Sequence, residues 1–237
     1  ASGLSCMMVC TSSRAVGVQF YRTLMLVVLG LSVVALLFGS WPVGVPGPAH
    51  LTIATAFAGF VVWTLGRVTA GRWVTTLLFF CASVAMIAPW ANQEMSGWSE
   101  RLIGAGELLT SALLLGSMMA AMLLGHSYLI APTMSIEPLK RLVTWIAVAV
   151  VGRAGFAGLS LIVPDDGGNL NSLNGFWWWS MFTARWVIGL VGPAVIAWMV
   201  WQTARIRATQ SATGILYAGV ILTFFGELIS QLLNSRP

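Results

Sequence analysis

The chain has 237 residues, of which 58% are hydrophobic and 8% charged, with a net charge of +5 and a mean hydropathy of +0.87. Soluble domains carry about 25% charged residues, so this chain cannot cover a water-facing surface, and its class is an all-α integral membrane protein. The basic residues stand singly or in pairs between apolar segments and form no face or arm, which argues against nucleic acid as a partner.

Residues 1–18 read as an N-terminal cytoplasmic segment. A charged stretch followed by an apolar one is missing there, so no cleavable leader is expected. Cys6 and Cys10 fall in this segment, and with Cys81 they make neither a CxxC nor a four-ligand set, so the sequence predicts no disulfide framework and no metal. A bundle of seven transmembrane helices follows within 19–233, with spans at about 19–40, 50–66, 73–91, 103–131, 139–163, 176–204 and 211–233, and 234–237 is a tail. The breaks carry turn chemistry. PVGVPGP (42–48) cannot be helical, because its prolines lack amide donors, and PDDGGNLNSLNG (164–175) is a run of turn formers. No internal repeat is visible.

Alternate loops divide the charges. One side holds Arg14, Arg22, Arg67, Arg72, Lys140, Arg141, Arg205 and Arg207. The other holds Arg101 and Arg236 with Glu94, Glu100, Asp165 and Asp166. Positive residues stay on the cytoplasmic side, which places the N-terminus in the cytoplasm and the C-terminus outside, in a membrane of the bacterial inner type. Trp41, Trp90, Trp98 and Trp177–Trp179 fall near the outer interface and read as an aromatic belt, with a stacking platform for a quinone or carotenoid as the alternative.

Four ionisable residues lie within spans: Glu107, Arg153, Arg185 and Glu227. Each costs roughly 2.5–3.5 kcal/mol to insert unless paired, wetted or useful. At 1.5 Å per residue, Glu107 lies about 6 Å, Glu227 about 9 Å and Arg185 about 13 Å below the outer end, with Arg153 near the midplane. These heights predict the pairs Arg185–Glu227 and Arg153–Glu107. The pairs either fix helix register or build a ligand-binding or proton-handling site. Small residues in GRAGFAG (152–158) and IGLVGP (188–193) bring helices close beside them, and Pro193 should kink the sixth span. His126, with Tyr128 beside it, lies about 8 Å from the inner end of the fourth span. It reads as a neutral interfacial histidine, with a second ligand or proton site as the alternative.

Several chemistries are excluded. The single lysine, Lys140, lies in a loop, so no retinal Schiff base can form. His50 and His126 sit at opposite ends of their spans and cannot share one haem iron. Histidine–methionine ligation through Met118, Met119 or Met122 remains the one haem arrangement left. HExxH, Walker A and GxGxxG motifs are absent. With no catalytic motif and short loops, any chemistry must come from partner subunits.

The last span, ATGILYAGVILTFFGELISQLL (212–233), resembles the closing helix of the membrane-anchor subunits of the polysulfide- and DMSO-reductase group, which end a polytopic, cofactor-free bundle on a similar small-Glu-Leu stretch. The resemblance implies quinol oxidation near the outer face, with Glu227 as proton acceptor and Arg185 or Arg153 orienting the quinone oxygen. Three readings follow: a membrane subunit of a respiratory or energy-converting complex that contacts quinone, a small transporter or channel using the same charges, or a structural subunit without a ligand. The first predicts a lipid-accessible cleft between spans four to seven that ends at Glu227.

Overall fold

The computed structural model describes residues 1–11, 16–38, 47–91, 98–131, 134–162 and 175–234, which form nine α-helices and no strands. They are α1 (Ser2–Cys10), α2 (Val18–Phe38), α3 (Pro48–Thr64), α4 (Val68–Ala91), α5 (Trp98–Ile130), α6 (Glu137–Ile162), α7 (Gly175–Trp186), α8 (Gly192–Arg205) and α9 (Thr209–Asn234). The loops expected at 42–48 and 164–175, and Arg14, Glu94, Asp165, Asp166 and Arg236, lie largely or wholly outside the described residues.

Six segments are long and apolar enough to cross a membrane: α2, α4, α5, α6, the α7–α8 run and α9. The protein is therefore a multi-pass membrane protein. The second expected span is the 17-residue α3, about 26 Å long, just under the ~30 Å hydrocarbon thickness. Pro48 opens this helix, where its missing amide is no loss. Gly66, at φ +70, turns the chain directly into α4. A left-handed residue, Arg207 at φ 57, makes the corresponding turn between α8 and α9.

The interior is apolar and so is the outside. Leu24, Met25, Trp63, Leu124, Leu139 and Val200 are buried, while Phe38, Trp73 and Val151 are 88, 77 and 72% exposed. Large side chains facing outward at this level fit a hydrocarbon solvent and not water. Tyr21 stacks on Trp63 with ring centroids 4.3 Å apart and donates its hydroxyl to the Thr11 carbonyl, which ties the end of α1 to α2 and α3.

α1 departs from the sequence expectation. Its residues, assigned above to a segment before the first span, form a helix packed against α4 and α5 with Leu4, Ser5, Met7 and Met8 buried. Gly3 and Gly116 make this approach possible: a Cβ on Gly3 would collide with the Ala112 carbonyl, and one on Gly116 with the backbone of Gly3. The sixth span also differs in detail. Pro193 has no amide to donate to the Gly189 carbonyl one α-turn back, and the chain widens into a π turn over Val187–Val191, where the Gly192 amide reaches the Val187 carbonyl. Pi turns of this kind recur at functional sites.

Candidate functional site

The four ionisable residues come together between α5, α6, α7 and α9. Arg153, on α6, points its Nε at Glu227 Oε1, 2.8 Å away, and its Nη2 at Glu227 Oε2, 2.9 Å away. This is a side-on fork, the geometry in which a guanidinium best matches a carboxylate. The same Nη2 donates to Ser230 Oγ at 3.0 Å, and Nη1 donates to the Glu107 carbonyl at 2.9 Å. Arg185, on α7, reaches Glu107 Oε1 at 2.6 Å. The first pair is the deeper: its side chains are 7 and 6% exposed, against 16 and 13% for the second.

The pairing is the reverse of the one that height predicts. Depth along a span fixes how far down a residue sits, but not which way it points around the helix. Here α6 packs on α5, and the long Arg153 side chain reaches both Glu227 on α9 and the Glu107 backbone. That leaves the Glu107 carboxylate to Arg185. All four predicted residues do share one cluster of zero net charge.

Two further members escaped the sequence reading. Ser111 donates to Glu227 Oε2 at 2.5 Å, and Ser230 accepts from Arg153. The signal was present in the spacing. Ser111 lies one helical turn after Glu107, and Ser230 lies three residues after Glu227, so each shares a face with an acid. The helices close tightly around this polar seam. A Cβ on Gly226 would meet the Gly189 backbone, so the π turn and α9 touch main chain to main chain beside Glu227.

Beyond Ser111 lies a cavity of about 530 Å³, walled by α1 to α5 and α9. Leu31 and Phe224 sit on it and are 41 and 52% exposed, so its mouth opens sideways onto the apolar exterior. This cavity is not the cleft expected between spans four to seven: spans five and six give it no wall, and Glu227 does not line it. It is bounded mainly by α1–α5 and α9, and it stops at Ser111, one hydrogen bond short of Glu227. Its hydroxyls are already committed inward. Thr52 donates to Pro48, Thr223 to Gly219 and Ser32 to Val28, each to a backbone carbonyl, and Ser2 donates to the Met86 sulfur. Ser111 likewise spends its hydrogen on Glu227. Each therefore presents a lone pair to an occupant, not a proton; the donors in the lining are the Gln231 amide and the main-chain N–H groups of the first turn of α1.

The secondary candidates lie elsewhere. Tyr128 is buried and donates to the Ser135 carbonyl at 2.6 Å, which fastens the turn between α5 and α6. His126 is exposed and makes no hydrogen bond or ion pair among the described residues. His50 is likewise exposed, in the first turn of α3. No cluster of three His, Cys, Asp or Glu side chains occurs among the described residues. Trp98 and Trp179 are exposed at 82 and 62%, as a belt requires. The side chains of Trp41, Trp90, Trp177 and Trp178 lie outside those described.

No family model, no curated protein and no solved structure matches the chain. Fold and site together define an all-helical, multi-pass membrane protein with a neutral, buried Arg–Glu cluster beside a lipid-facing cavity.

Proposed function

We propose that this protein is the membrane subunit of a respiratory or energy-converting complex and binds a quinol of the isoprenoid class in the cavity that ends at Ser111. The chain crosses the membrane seven times, α3 included, entering α2 from the cytoplasmic side and leaving α9 on the outer side, while α1 reaches back into the bundle so that Ala1 lines the cavity. This puts the cavity in the outer half of a bacterial-type inner membrane. The resemblance of the last span to the anchor subunits of the polysulfide- and DMSO-reductase group points the same way.

One observation carries the reading: an apolar cavity, open sideways, that ends on a hydroxyl hydrogen-bonded to a buried carboxylate. Side entry suits a ligand dissolved in the bilayer. Because Ser111 offers a lone pair, it favours a hydroxyl donor over a carbonyl and so the reduced quinol over the quinone. A quinol bound there directs its O–H at Ser111 Oγ, and Ser111 passes its own hydrogen to Glu227. Oxidation releases two protons and two electrons. Glu227 takes one proton through Ser111, the second passes to water at the outer surface, and the electrons go to a redox centre on a partner subunit. Arg153 and Arg185 hold the two carboxylates in place and do not touch the ligand.

Purification in a mild detergent, with mass spectrometry of bound lipid and of co-purifying chains, tests this. A quinone at about one per chain and a redox partner are expected, and Ala85→Leu, which fills the cavity, removes the quinone. A protein that runs alone without quinone overturns the reading. So does a photo-crosslinker at Ala85 that captures a polypeptide segment instead of lipid.

A structural subunit is the second reading, and the directness of both ion pairs favours it. It predicts that Ala85→Leu changes neither bound lipid nor electron transfer in the assembled complex.

A further inference from the structure

Between the two ion pairs lies a second, much smaller cavity of about 10 Å³, lined by Arg153, Arg185, Gly189, Gly226 and Ser230 among others. Its lining shares no residue with that of the large cavity. Its volume is that of one water-sized probe, the minimum a buried water requires.

The polar groups around it are incompletely used. Ser230 is 3% exposed. Its oxygen accepts from Arg153, but its own hydroxyl hydrogen has no acceptor among the described residues. Most buried serines on these helices give that hydrogen to a carbonyl three or four residues back, as Ser32 and Ser117 do; Ser230 does not. Arg153 uses four of its five N–H groups on Glu227, Ser230 and the Glu107 carbonyl. Gly189, in the π turn, lines the same place. A buried hydroxyl left without an acceptor is costly.

We infer that a single structural water occupies this cavity and joins the two ion pairs into one hydrogen-bonded unit. Its oxygen accepts from the Ser230 hydroxyl and from an Arg185 N–H, and one of its hydrogens goes to a main-chain carbonyl of the π turn. The site takes water for three reasons: its size excludes larger molecules, its neutral surroundings exclude a free ion, and it offers both donors and acceptors. The π turn is what opens this space, because a regular helix through Pro193 would bring the Gly189 backbone into another register. The inference does not depend on what fills the large cavity.

A density map of the ligand-free protein in nanodiscs, at a resolution that shows ordered water, is the direct test. A peak within hydrogen-bond distance of Ser230 Oγ and an Arg185 nitrogen is expected, and a well-ordered site without one overturns the inference. Two variants check it independently. Ser230→Ala removes one partner and lowers Tm by about 2–4 °C, the equivalent of one hydrogen bond. Ala157→Ser, which places a hydroxyl in the same cavity, displaces the water and leaves Tm within about 1 °C of wild type while the peak disappears. If the cavity is dry, Ala157→Ser buries a hydroxyl in it and lowers Tm as much as Ser230→Ala does. Loss of the water in a protein that still carries quinone sinks this inference alone; a bound water in a quinone-free protein sinks the quinol reading alone.

Discussion

Two regions on either side of Ser111 solve opposite problems. The seam between α5, α6, α7 and α9 holds two arginines and two glutamates, and its helices close to main-chain contact at Gly189 and Gly226. The region between α1–α5 and α9 holds no charged side chain in its cavity wall, yet it encloses about 530 Å³. Charges in a low-dielectric interior must find partners within hydrogen-bond reach, and small residues let the helices approach far enough to provide them. Apolar walls make no such demand, so space there can remain. The lesson is one of division: the charged seam provides rigidity, and the apolar side provides room for a ligand.

The sharpest way to break the contrast is Arg153→Ala, which leaves Glu227 buried with Ser111 as its hydrogen-bond donor. A loss of about 3–5 kcal/mol is expected in reversible unfolding from mixed micelles. The double variant Arg153→Met, Glu227→Leu recovers most of that loss, because it removes the uncompensated charge. Gly226→Ala comes next. Its Cβ meets Gly189 backbone, which cannot swing aside, so a loss of about 3 kcal/mol is expected. Gly189→Ala finds its nearest neighbours at 3.5 Å, an ordinary contact, and costs much less. Ranking the two by thermal shift tests whether the close approach has the direction described.

Ser111→Ala sits on the boundary and should affect both sides. Removing a hydrogen bond to a charged group costs about 1.5–3 kcal/mol. The bound quinone falls with it, while Arg153 and Glu227 stay paired in the variant's structure. His126→Ala defines the baseline. The side chain is exposed and touches neither region, so stability stays within about 0.5 kcal/mol of wild type and bound lipid is unchanged. A larger effect would mean that the C-terminal end of α5 carries a site of its own.

Much of this was legible in the sequence. Hydropathy gave the all-helical membrane class, and the cost of burying charge singled out Glu107, Arg153, Arg185 and Glu227 as one group. Pro193 marked the span that is interrupted, although the interruption is a π turn. The exchange of partners between the pairs was not legible, because it depends on rotation about the helix axes. In a bundle that is apolar inside and out, no amphipathic stripe records that rotation. α1 was hidden for a related reason: nine residues are too few to register as a span, and its sequence is apolar without a polar face. Ser111 and Ser230 look like any other serines in a membrane helix until their neighbours are known. The large cavity was not legible, since its walls come from six helices spread across most of the chain.

Gly226 and Glu227 are neighbours in the chain, and this adjacency has a mechanical consequence. The glycine presses on the main chain of the π turn, so α9 cannot slide past that turn without lifting the whole contact. The carboxylate next to it travels with the same backbone. Its position is therefore gauged from main chain to main chain, with almost no side-chain compliance in between. A push on α9 from the cavity side at Phe224 or Thr223 would reach the acid as displacement of a stiff rod, and Arg153 would feel it at once.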